Sequence, residues 1–196
     1  TAVGFKALRL NLAGDNTAVG SNALTTNSTG GACVAIGAGA LKVNLASSNT
    51  GVGATCLRYN TTGADNTAIG YLALTTNVGG GQNTAVGKSA LAANEEGGDN
   101  VAVGTGALSD CTTGGNNVAI GLNSGATVSG TTSGAGNIMI GSLARAAGDN
   151  TNYTIAIGYN VSGVAGYTTL GQAGSDIRAA HGNVTWATVS DERVKK

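Results

Sequence analysis

An all-β fold is predicted for this sequence: a repetitive parallel β-roll or β-solenoid rod. Two observations predict it. A five-residue phrase, Asn-Thr-Ala-Val-Gly or a close variant, ends at Gly4, Gly20, Gly37, Gly53, Gly70, Gly87, Gly104, Gly121, Gly141 and Gly158. The step between these glycines is mostly 16 to 17 residues, too short for a helix pair and suited to one turn of a coil. The second observation is composition: of 196 residues 34 are Gly and none is Pro, and there is one Trp and one Phe. Large aromatics therefore cannot anchor a globular interior, and the core must be aliphatic and thin.

Each unit carries two short apolar segments. In the first, side chains alternate across an extended chain, so Thr17 and Val19 share one side while Ala18 and Gly20 share the other. Val19, Ile36, Val52, Ile69, Val86, Val103, Ile120, Ile140 and Ile157 hold one place in the repeat, and stacked in register they form a β-branched ladder. That ladder is the predicted core. The opposite face, with Ala18, Ala35, Ala68, Ala85, Ala102, Ala119 and the glycines, is predicted to admit a second backbone closely, as a seam between subunits. The second segment is Ala-Leu, as at Ala23-Leu24, Ala73-Leu74 and Ala107-Leu108. The phrase opens on Asn16, Asn49, Asn66, Asn83, Asn100, Asn117 and Asn137. Asn suits a turn entering a strand, and stacked copies are expected to hydrogen-bond amide to amide along the axis. About ten layers at ~4.8 Å give a rod of roughly 50 Å, thin enough to predict that chains pack against or wind around one another.

Charge excludes other classes. Ten basic and ten acidic residues cancel and no basic stripe exists, so nucleic acid is not an expected partner. No apolar run is long enough to span a membrane, so no insertion is expected, and no signal peptide opens the chain. Its start in mid-repeat, at Thr1-Ala2-Val3-Gly4, reads as the interior of a longer polypeptide. No cofactor or metal is expected. Cys33, Cys56 and Cys111 lack metal-site spacing, Cys56 stands where Ala does in the Ala-Leu pair, and Cys111 lies in a Gly-Thr loop. His181 has no Cys or second His near it. Glu95, Glu96 and Asp99 read as a solvated loop, since the calcium-binding nonapeptide of β-rolls is absent. Paired carboxylates on an aromatic platform, as polysaccharide cleavage needs, are also lacking, and the chain is not expected to be an enzyme apart from self-cleavage. Tyr59, Tyr71, Tyr153 and Tyr159 fall outside the pattern as surface aromatics, and the longer step to Gly141 inserts a Ser-Gly-Thr loop around residues 127–136.

Three regions follow: a rod over 1–171, a neck or cap over 172–189, and a charged segment over 190–196. The alternation from Asn183 to Val189 predicts one last strand, pairing with its symmetry mates, and Trp186 is the expected plug of the neck. The string Ser190-Asp191-Glu192-Arg193-Val194-Lys195 resembles the Ser-Asp-x-Arg-x-Lys opening of the endosialidase-type intramolecular chaperone domain, which ends many phage tail fibres and tailspikes. The resemblance implies that this domain assembles a trimer and then cuts itself off between Ser190 and Asp191. Ser190 is then the nucleophile and Lys195 the candidate base, by serine-lysine logic.

The repeats over 1–171 also resemble those of phage fibres and of the heads of trimeric autotransporter adhesins. Together these likenesses imply a homotrimeric, structural host-attachment segment of a phage tail fibre, located in the virion. Its implied partners are other tail or baseplate proteins and a host cell-surface glycan receptor. The alternative they imply is an adhesin head on a bacterial cell surface.

Overall fold

A 17-residue period places like residues over like in a parallel stack, and the computed structural model shows that stack. It describes residues 1–126, 133–173 and 175–182, and residues 187–188 by backbone. Among these there is no helix. Thirteen short strands form one sheet. Ala2–Val3, Thr17–Val19, Val34–Ile36, Thr50–Val52, Thr67–Ile69, Thr84–Val86, Val101–Val103, Val118–Ile120, Ile138–Ile140, Ile155–Tyr159 and Tyr167–Gln172 follow one another in parallel. The register is phrase on phrase: Thr67 partners Thr84, Ala68 partners Ala85 and Ile69 partners Val86. Ile177–Ala180 then pairs antiparallel with Tyr167–Gln172, and Ala187–Thr188 antiparallel with Ile177–Ala180. The last predicted strand is present at Ala187–Thr188, and there it pairs within the chain.

The interior reverses the face assignment read from the sequence. Ala18, Ala35, Ala68, Ala85, Ala102 and Ala119 are fully buried, whereas Ile36, Ile69, Val103, Ile120 and Ile157 are about two-fifths exposed, between 36% and 42%. The branched ladder faces outward. The reason is the width of the coil. A typical turn sends inward Asn66, Ala68, Ala73, Leu74 and Asn77, all completely buried, so the strand packs directly on the leucine of the Ala-Leu turn. At Gly51, a methyl group would already lie 3.3 Å from Leu41 Cδ1. Alanine therefore nearly fills the space, and a β-branched side chain would overpack it.

The leucines reach the interior through left-handed backbone, with φ of 46° at Leu24, 48° at Leu41 and 49° at Leu74. That conformation costs roughly 1–2 kcal/mol per residue. Burying a leucine side chain contributes about 1.5–3 kcal/mol, so each such turn breaks even or better.

The repeating glycine also has its explanation inside the chain. Gly70 has φ +136°, and a methyl on it would sit 2.5 Å from the carbonyl oxygen of Gly87. The close backbone neighbour that the glycine column was expected to admit is the next coil, not another subunit.

Candidate functional site

With Ala, Leu and Asn turned inward, the first and third residues of each strand form an outward face. One column runs Thr17, Val34, Thr50, Thr67, Thr84, Val101, Val118, Ile138 and Ile155, and the other Val19, Ile36, Val52, Ile69, Val86, Val103, Ile120, Ile140 and Ile157. Neither column contains a charge. Nine strands at ~4.8 Å make the face about 40 Å long, and two side chains across give roughly 400 Å². A β-branched patch of that size is in the range of the largest apolar patch on a typical monomer, which is often functional. Just past the column glycines, Tyr71, Leu122 and Tyr159 stand exposed beside it.

Two asparagine columns tie each coil to the next. In the first, the side-chain oxygen accepts the backbone N–H of the same position one coil on: Asn83 N–H to Asn66 Oδ1 at 2.9 Å, and Asn100 N–H to Asn83 Oδ1 at 3.0 Å. Its Nδ2 donates to a loop carbonyl, as Asn66 does to Gly80 at 2.9 Å. Amide-to-amide bonds join this column from Asn83 to Asn137, each at 3.1 Å. The second column, Asn44, Asn60, Asn77 and Asn94, lies outside the repeated phrase that the sequence makes legible and carries the shorter amide chain, Nδ2 of Asn60, Asn77 and Asn94 each donating to the preceding Oδ1 at 2.6 Å. Its signal is an asparagine seven places after the glycine, or three residues after each Ala-Leu pair. Buried amides satisfied in this way add directional bonds to a core too thin for much apolar burial.

All three cysteines are buried thiols. Cys56 fills the alanine place, and desolvation pushes its thiol up to about 12. Cys33 and Cys111 occupy asparagine places in the first and second columns. Burial also raises the Cys33 thiol, while hydrogen bonding from the Asn49 backbone, the Asn44 side chain and the Ser48 backbone partly opposes the rise. These are packed, inert thiols, and Cys111 is too buried to bridge to another chain.

Glu95, Glu96, Asp99 and His181 are exposed, as are Tyr59, Tyr71, Tyr153 and Tyr159, with the Arg58 guanidinium 5.1 Å from the Tyr59 ring centroid. Among the described residues no three His, Cys, Asp or Glu side chains gather as a metal set, and no helix is long and apolar enough to cross a membrane. Trp186, Ser190, Asp191 and Lys195 lie outside the described residues, as does most of the inserted loop, residues 127–132. Compared with known proteins, the chain matches no family model, no curated protein and no solved structure.

Proposed function

We propose that this chain is a structural segment of a homotrimeric host-attachment fibre of a phage tail, in which the outward branched face is the seam between subunits. The observation that carries the reading is that face: an uncharged ladder of Thr, Val and Ile running the length of a parallel stack, with Ile36, Ile69 and Ile120 left about two-fifths exposed in the single chain. Two such faces in contact fall short of the ~800 Å² per partner of a standard interface. The number three rests on the resemblance of the repeats to trimeric fibres and adhesin heads. The fibre role, the virion location, the tail or baseplate partners and a glycan receptor rest on the resemblance of the repeats and of Ser190 to Lys195.

The subunit reading is tested by sedimentation equilibrium, where a mass three times that of the chain is expected and a monomer would sink it. Maturation is tested on a polypeptide extended beyond Lys196. The mass of the product should place the new end at Ser190, and Ser190→Ala and Lys195→Ala should each leave the precursor uncut. A precursor that stays intact in the unsubstituted form removes the self-cleavage step and leaves the seam untouched.

A further inference from the structure

The charges that cancel over the whole sequence are sorted along the rod. Residues 1–62 hold four basic residues and one acidic, and residues 63–126 hold one basic and five acidic. Three of the first four, Arg9, Lys42 and Arg58, are far apart in sequence, and the coil brings them into one column. The backbone bonds between coils fix this register: Leu10 N–H donates to the Thr25 carbonyl at 2.9 Å, Thr26 N–H to that of Lys42 at 2.9 Å, Val43 N–H to that of Arg58 at 3.0 Å and Tyr59 N–H to that of Thr75 at 3.3 Å. Arg9, Thr25, Lys42, Arg58 and Thr75 therefore stand one above another, and the basic part of the column spans ~15 Å.

The fold does not require cations at this place, since later coils fill it with Thr75, Ala92 and Ser109. Lys42 and Arg58 are like charges on adjacent coils, an arrangement that weakens a sheet. Among the described residues, Arg9, Lys42 and Arg58 have neither an ion pair nor a side-chain hydrogen bond to offset it. Arg58 Nε is buried without a partner, and the guanidinium carbon stands 5.1 Å from the centroid of the Tyr59 ring, which is 46% exposed. A guanidinium seated against an aromatic ring is oriented before any anion arrives. The column is also open in the assembled rod. Lys42 and Arg58 directly follow Leu41 and Leu57, and these leucines meet the strand alanines across the interior, so the column lies on the wall opposite the proposed seam.

We propose that this strip binds an acidic glycan. Lys42 and Arg58 hold a carboxylate or phosphate carried on the sugar, the Tyr59 ring stacks on a sugar face, and Arg9 takes a further charge two coils from Lys42. The proposal names the chemical class of the receptor and rests on the host-attachment reading above. A sugar chain suits the strip better than a nucleic acid, because a closely charged polyphosphate continuing along the rod would run onto the acidic coils that follow.

The test is isothermal titration calorimetry of the chain with four probes: oligogalacturonate, a phosphorylated mannan oligosaccharide, neutral maltotetraose and oligothymidylate. An acidic sugar should bind, more weakly as salt rises, and maltotetraose should not. The acidic sugar that binds identifies the charge as carboxylate or phosphate. Lys42→Gln, Arg58→Gln and Tyr59→Ala should each weaken that binding about tenfold or more, whereas Lys88→Gln, in the acidic coils, should leave it unchanged. Circular dichroism checks that every variant keeps the β spectrum. Silence with both acidic sugars, equal binding of maltotetraose, tighter binding of oligothymidylate, or equal weakening by Lys88→Gln overturns the site, and a chain that still sediments as a trimer then keeps the fibre reading. Selective binding by a chain that sediments as a monomer supports the site and overturns the seam alone.

Discussion

At single positions the asparagine columns are the most exacting part of the molecule. Asn94 Oδ1 is buried without a partner, because the next place in its column holds Cys111 instead of an amide donor. Cys111→Asn should supply that donor, and a cavity of about 20 Å³ lined in part by Cys111 and Met139 gives the larger side chain room. The gain expected in denaturant unfolding is about 1 kcal/mol, the usual net worth of a hydrogen bond. Cys56 gives a pH prediction. Its thiol ionises near 9.0 when unfolded and near 12 when folded, so its contribution is intact below pH 9 and fades as pH rises towards 12. Stability should therefore fall by up to about 1.4 kcal/mol per pH unit in that window, and Cys56→Ala should flatten the slope. The phrase itself made the first asparagine column legible, whereas the second lay in loops that look merely polar until the coil is closed.

The coil interior obeys a constant-volume rule that sequence periodicity alone conceals. Where the strand alanine is lost at Gly51, the turn alanine becomes Cys56, and a methyl on Gly51 would lie 3.0 Å from the sulfur. Where the turn leucine is lost at Gly125, the strand alanine of the next coil becomes Met139, and a methyl on Gly125 would lie 2.7 Å from Leu108 Cδ2 and 3.0 Å from Met139 Cε. Met139→Ala alone should cost about 2–5 kcal/mol through the cavity it leaves. Adding Gly125→Leu refills the space, and the pair should couple by roughly 0.5–3 kcal/mol in a double-mutant cycle. Additive costs would show that the two sites do not share one space. These exchanges also explain why the predicted faces came out reversed. Alternation fixes which residues share a side, but the side that points inward depends on how wide the coil is, and the leucine opposite decides that. The branched residues then fit the outer, pleated surface.

For the whole rod, the period alone gave the parallel stack, its spacing and its strand composition. The change of pattern after Gly158 announced the cap, but its antiparallel pairing depends on a reversal between Gln172 and Ile177 that carries no periodic signal. The proposed seam makes a prediction at this scale. Ile69→Lys or Val103→Lys places a charge at the centre of an uncharged ladder, so assembly should weaken by at least about tenfold while the single chain keeps its β spectrum. Unchanged mass in sedimentation would move the seam to another face. The role of Ser190 and Lys195 stays with the motif, because those residues lie outside the described part of the chain.

Phrase-on-phrase registration also makes the rod's reach adjustable in fixed increments. Removing residues 71–87 joins Gly70 to Lys88, whose predecessor Gly87 has the same φ of +136° and the same contact with the following glycine. Such a deletion shortens the rod by one ~4.8 Å layer and leaves every remaining junction of the kind already present. A lineage carrying this architecture can therefore lengthen or shorten the rod by copying or dropping whole turns, with no redesign of the packing at the splice.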